Sequence, residues 1–214
     1  MKKQEGLTTP VNPASSSLDF ARAISPKFDL VYVQVEPTLN SLPNECYSNV
    51  ARMVEERGGR SILGWQIWEW KGYFAEAESH AIWKSPTGEL LDVTPKLEKQ
   101  ILFIEDPENK FIGNRVNNIR SALLDAEIVH DFIEAGNAKH ALFGHVQNGT
   151  RLETWKVVIG ERLDHATHLL PNLFKKKANT NQQCPCGSGL RYHDCHRAEI
   201  KKTIEMARNA ISEK

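Results

Sequence analysis

Four cysteines occur in 214 residues, and three of them fall between Cys184 and Cys195, so Cys46 is the single thiol elsewhere. No apolar run approaches the roughly 20 residues that a bilayer-spanning helix needs, which excludes such a span. The lysines of the opening MKKQEGLTTPVNPASSS have no apolar stretch behind them, so a secretory signal is not expected and a cytoplasmic location is. There is no internal repeat, no Walker loop and no dinucleotide fingerprint. Net charge is also absent, with 27 basic and 27 acidic residues.

What is present is that of a soluble globular chain, 40% hydrophobic and 25% charged, long enough for one good core with a small appendage. The balanced charge is unevenly spread. Residues 171–214 carry nine Lys and Arg against four Asp and Glu, which leaves the remainder at −5. A basic tail favours an acidic partner, either nucleic acid or an acidic protein surface, or it is simply a solvated end. Composition divides the chain into a loose arm over 1–25, a body over 26–170, a polar linker over 171–183 and a tail over 184–214.

Within the body, Phe28–Val35, Ser61–Trp70, Glu76–Lys84 and Ile101–Ile104 read as strands from their Val, Ile and Trp content. Asn117–Ala135 reads as a helix stopped by Gly136, residues 147–149 as a turn, and Trp155–Ile159 as a final strand. Helices and strands mixed without βαβ alternation indicate an α+β fold. His130, His140, His145, His165 and His168 have no ligand set around them in sequence and receive no function.

Residues 44–95 hold the candidate chemistry. Asn44 is a suitable N-cap, and Tyr47, Val50, Ala51 and Val54 keep helical spacing until Gly58-Gly59. Cys46 then lies in the first turn, where free N–H groups and the helix dipole favour a thiolate. Ser85-Pro86-Thr87-Gly88 suits a three-residue hairpin loop in which Ser85 pairs with Glu89. That register places His80 and Asp92 on one face as diagonal neighbours, about 7 Å apart at the backbone, whereas a two-residue loop would put them on opposite faces. A cysteine on a helix start followed by a histidine and an aspartate on strands resembles the transglutaminase-like and papain-like cysteine enzymes. The resemblance spans about 50 residues and implies a core of Cys helix plus antiparallel sheet. It also implies Cys46 as nucleophile, His80 as base and Asp92 as its orienter. No oxyanion-stabilising side chain can be assigned; Gln34 is a candidate by residue type alone. The other reading of Cys46 is a buried structural cysteine.

The tail carries Cys184-Pro185-Cys186-Gly187-Ser188-Gly189, then Tyr192 and Cys195-His196. Three thiolates and one imidazole make a closed tetrahedral zinc set, and so short a segment needs the metal to fold. Disulfides are the competing reading, disfavoured by the expected location and the adjacent histidine. The CPCGSG-x-x-Y-x-x-CH pattern resembles the SEC-C zinc motif that ends the bacterial preprotein-translocase motor ATPase. In that family the motif contacts a secretion chaperone and the ribosome, which implies a protein partner for the tail here; nucleic acid would engage only its basic residues. Two functions stay open: a thiol hydrolase or acyltransferase acting on an amide or ester, and a catalytically inactive adaptor docking through its zinc tail.

Overall fold

The computed structural model describes residues 6–13, 15–111, 113, 116–144, 146, 151–174 and 178–212. The chain divides into two compact units. One comprises Leu7–Lys71 and Ala75–Ile112; the other comprises Met1–Gly6, Gly72–Phe74 and Gly113–Lys214.

The first unit is built on β1 (Leu7–Thr8), α1 (Ser15–Ile24), β2 (Leu30–Val35), α2 (Cys46–Arg57), β3 (Arg60–Trp70), β4 (Phe74–Lys84), β5 (Leu90–Asp92) and β6 (Gln100–Glu105). Its strands run in the order β1-β3-β6-β2-β5-β4, and β4 pairs again with β3, so five strands close on themselves. β2 is parallel to β5 and antiparallel to β6. The period-two alternation of the strands sorts their side chains into two layers. Val33, Ile62, Ile82, Ile101 and Phe103 form one buried cluster drawn from four of the closed strands, with Leu90 of β5 packed against it. Ala81, Trp83, Leu91 and Val93, one residue out of phase, form a second cluster with Cys46, Val50 and Met53 of α2. The i, i+4 and i, i+3 spacings of those three α2 residues give the helix its buried face.

Gly64 lets β3 and β6 approach. A Cβ there would stand 2.1 Å from the Ile104 carbonyl oxygen and 2.6 Å from the Phe103 ring. The segment expected to be a loose arm contains β1 and α1. It is tied to the sheet where the Ser25 hydroxyl donates to the Glu105 carbonyl at 2.8 Å and the Tyr32 hydroxyl to the Pro10 carbonyl at 2.7 Å.

The second unit contains β7 (Ile119–Ala122), α3 (Glu127–Phe143), α4 (Thr154–Leu169), α5 (Pro171–Phe174) and α6 (Arg197–Ser212). α3, α4 and α6 pack on one another. Phe74, Phe132 and Phe174 meet with ring centroids 4.9–6.0 Å apart. Two expectations are corrected here. The helix read over Asn117–Ala135 is a strand followed by α3, and Gly136 does not stop it. Gly136 is instead a place where the Arg120 guanidinium closes in, 3.3 Å from where a Cβ would be. Trp155–Ile159 is helical, not a strand, because Ile159, Leu163 and Ala166 bury one face of α4 at helical spacing. Packing of that face overrides the β-preference of Val157 and Val158. The expected turn at 147–149 and His145 lie outside the described residues. The tail also differs from a self-contained appendage, since Tyr192, Ile200, Ile204 and Ala207 are buried within this unit.

Gly64→Ala is expected to lower the stability of the first unit by about 1–3 kcal/mol, the usual cost of overpacking. Urea unfolding of the full chain checks this; a loss under about 0.5 kcal/mol would mean that the strands can part without penalty.

Candidate metal centre and thiol site

The chain enters α2 through Asn44, which takes φ 63°, a left-handed conformation that asparagine tolerates better than most residues. Glu45, not Asn44, occupies the N-cap position, and no side chain caps the helix. Cys46 is therefore the first helical residue, 8% exposed. Buried Asn49 fixes the strap leading to it. The Leu42 N–H donates to Asn49 Oδ1 at 3.0 Å, and Asn49 Nδ2 donates to the Leu42 carbonyl at 2.8 Å.

The hairpin joining β4 and β5 has the expected register. The Ser85 N–H donates to the Glu89 carbonyl at 2.8 Å, Gly88 has φ 93°, and Trp83 and Lys84 pair with Leu91 and Leu90. His80 and Asp92 are thereby brought to one place, with His80 Nε2 3.1 Å from Asp92 Oδ2. His80 is 5% exposed and Asp92 is fully buried. Asp92 Oδ1 accepts the Thr94 N–H at 2.9 Å, which sets its rotation. The Cys46 side chain is near enough to His80 to favour its protonated form.

Lys96 completes the group and was not singled out from the sequence. Its Nζ lies 2.6 Å from Asp92 Oδ2, donates to Gln66 Oε1 at 2.6 Å, and stands 3.4 Å from His80 Nε2. The signal available in sequence was a lysine four residues after Asp92, too common a spacing to stand out. Gln66 is buried on β3 and its Nε2 meets no acceptor among the described residues. Burial and the Lys96 charge both oppose a proton on His80. The Asp92 charge and hydrogen bond, with a smaller contribution from Cys46, outweigh them and raise the imidazole to about 9. Burial would raise the Asp92 carboxyl, but His80 and Lys96 hold it down at about 2. At neutral pH the site thus contains an aspartate between two cations, beside a thiol. Gln34, considered for the oxyanion, is exposed and donates to Gln100 Oε1 at 3.4 Å.

In the second unit, the Cys184, Cys186, Cys195 and His196 ligand atoms all lie within 4.8 Å of one another. Cys186 Sγ and Cys195 Sγ are 3.6 Å apart, and His196 Nδ1 is 3.2 Å from the sulfurs of both Cys184 and Cys195. Tetrahedral bonds of about 2.0–2.3 Å would spread four such donors about 3.3–3.8 Å apart, so the set fits one metal ion. All four cysteines of the chain are free, and the three clustered sulfurs do not form a disulfide. Local backbone bonds shape the loop. The Cys184 N–H donates to the Leu190 carbonyl at 2.7 Å, and the Cys195 N–H to the Tyr192 carbonyl at 3.2 Å. Burial pushes the Cys184 thiol up to about 11, whereas hydrogen bonds to Ser188 lower Cys186 to about 6. A cation bound among them lets all three act as thiolates. His165, given no role from sequence, packs its ring 5.5 Å from that of His196.

The family described as SEC-C motif matches residues 181–198, the segment that contains all four of these ligands. No curated protein and no solved structure matches the chain. The chain carries a SEC-C motif whose Cys and His side chains can hold one metal ion.

Proposed function

We propose that this is a zinc-clasped thiol enzyme whose Cys46 attacks an amide or ester carbonyl. The observation that carries the reading is the His80–Asp92 contact of 3.1 Å, with Cys46 at the helix start near enough to act on the His80 charge. This is the nucleophile, base and orienter arrangement of a Cys-His-Asp triad, and a papain-like or transglutaminase-like core is the architecture that would present it. Cys46 Sγ forms the bond to the carbonyl carbon, and its proton resides on His80. The carbonyl π electrons move to oxygen, where N–H groups of the first turn of α2 are the donors at hand. Collapse of that intermediate breaks the bond to the leaving amine or alcohol as His80 hands over its proton. Water or an amine, deprotonated by His80, then displaces the thiolate and releases the acyl group. Asp92 holds the imidazole by Nε2 throughout, and Lys96 balances the carboxylate so that the imidazolium is not over-stabilised.

In this reading zinc is structural: bound by Cys184, Cys186, Cys195 and His196, it supplies the folding energy of the loop and takes no part in catalysis. The tail docks the enzyme on a protein partner. Arg197, Lys201 and Arg208 face acidic groups of α3, which reduces the basic charge available to nucleic acid. A second reading, a catalytically inactive adaptor, is favoured by one observation. Cys46 at 8% exposure and His80 at 5% leave little room for a substrate without movement of the covering residues.

Two experiments test these assignments. Elemental analysis of the purified chain is expected to find about one zinc per chain, lost when Cys184 and Cys186 are both replaced by serine. Full zinc in that double variant would rule out the ligand set. Iodoacetamide labelling of Cys46, followed across pH, is expected to be at least about tenfold faster at pH 7 than in His80→Ala. The advantage should vanish above about pH 9, where His80 loses its proton. Labelling confined to pH above about 8, as for an ordinary thiol, and indifferent to His80→Ala would leave the adaptor reading.

A further inference from the structure

We infer that Asp131, on α3, is a positioning residue for the metal centre and sets its affinity through Tyr192 and Arg197. Asp131 is fully buried and stands 61 residues before Tyr192 in the chain. Every polar group described around it comes from the tail. The Tyr192 hydroxyl donates to Asp131 Oδ2 at 3.1 Å, Arg197 Nε donates to the same oxygen at 3.1 Å, and Lys201 Nζ lies 2.8 Å from Oδ1.

These partners bracket the Cys195-His196 pair. The Tyr192 carbonyl accepts the N–H groups of Cys195 and Arg197, both at 3.2 Å. Anchoring the Tyr192 ring therefore fixes the backbone that carries the third sulfur, and anchoring Arg197 fixes the residue after the imidazole. A second pair strengthens this hold: Arg197 Nη2 donates to Glu127 Oε1 at 2.7 Å. Tyr192 is wholly buried, and burial together with the Asp131 charge pushes its hydroxyl far above the usual range, so it stays a donor. A loop of this size with two glycines has many conformations, and ligands held in place before the ion arrives bind it more tightly. The coupling is reciprocal. The ion that orders Cys195 and His196 also delivers Tyr192 and Arg197 to a buried carboxylate whose other partner is Lys201.

The inference rests on the zinc reading of the cluster, and one titration separates the two. The full chain, its Asp131→Asn and Tyr192→Phe variants, and an Arg120→Met control are titrated with zinc against a chromophoric chelator, with circular dichroism recorded in parallel. Arg120 belongs to the same unit and donates to Asn117, Asn118 and Asn137, none of them in the cluster. Asp131→Asn is expected to weaken zinc binding by about 10- to 100-fold and Tyr192→Phe by about 3- to 10-fold, with the control within about twofold. Where Asp131→Asn fails to fold, Tyr192→Phe decides, because it removes one oxygen and leaves the ring in place. Unchanged affinity in Tyr192→Phe and in any folded Asp131→Asn, or an equal loss in Arg120→Met, overturns the inference and leaves the zinc reading standing. A wild-type chain that takes up no zinc overturns both.

Discussion

A carboxylate withdrawn completely from water must be met by cations or donors, and each compact unit of this chain contains one fully buried aspartate with such partners. Leaving either charge unpaired would cost several kcal/mol, comparable to the whole stability of a small domain. Around Asp92 the partners are His80, Lys96 and the Thr94 N–H. Around Asp131 they are Tyr192, Arg197 and Lys201. In the first unit the requirement gathers a histidine and a lysine beside the only cysteine of that unit. In the second it holds the SEC-C segment against a helix more than sixty residues earlier in the chain.

The consequence for chemistry lies in the protonation that Asp92 imposes. A histidine buried alone would be neutral near pH 7, since burial disfavours its charge. With Asp92 at 3.1 Å the imidazole is held to about 9, and Lys96 limits that rise. Nucleophilic reading and adaptor reading thus share one electrostatic frame and differ in whether a substrate reaches sulfur. The tail shows a parallel economy of charge. Arg197 and Lys201, which look in sequence like a free basic surface, are engaged by Glu127, Asp131 and Glu134.

Local chemistry was legible in the sequence where few residues determine it. The Ser85–Gly88 loop could be assigned because proline and glycine each fit one position of the turn, and its register carried His80 and Asp92 to the same face. The Cys184–His196 spacing could be read because metal ligation needs only donors and a tight turn. What depended on distant partners was not legible. Gly136 looked like a helix stop because nothing local announces Arg120 above it, and Trp155–Ile159 looked like a strand because its burial comes from α3 and α6. Lys96 was missed because a lysine four residues after an aspartate is too common to stand out, and its other partner, Gln66, is thirty residues away on β3. Asn44 failed as a cap because its left-handed backbone places Glu45 at the cap position.

The claim on which the account depends is that Asp92 keeps His80 protonated next to Cys46. Nitrogen-15 NMR of the His80 ring in the intact chain at pH 7.5 measures this directly. The account predicts that both ring nitrogens carry protons at that pH and that the ring titrates near 9. A neutral ring at pH 7.5, with a titration near the ordinary value of about 6.5, would contradict it.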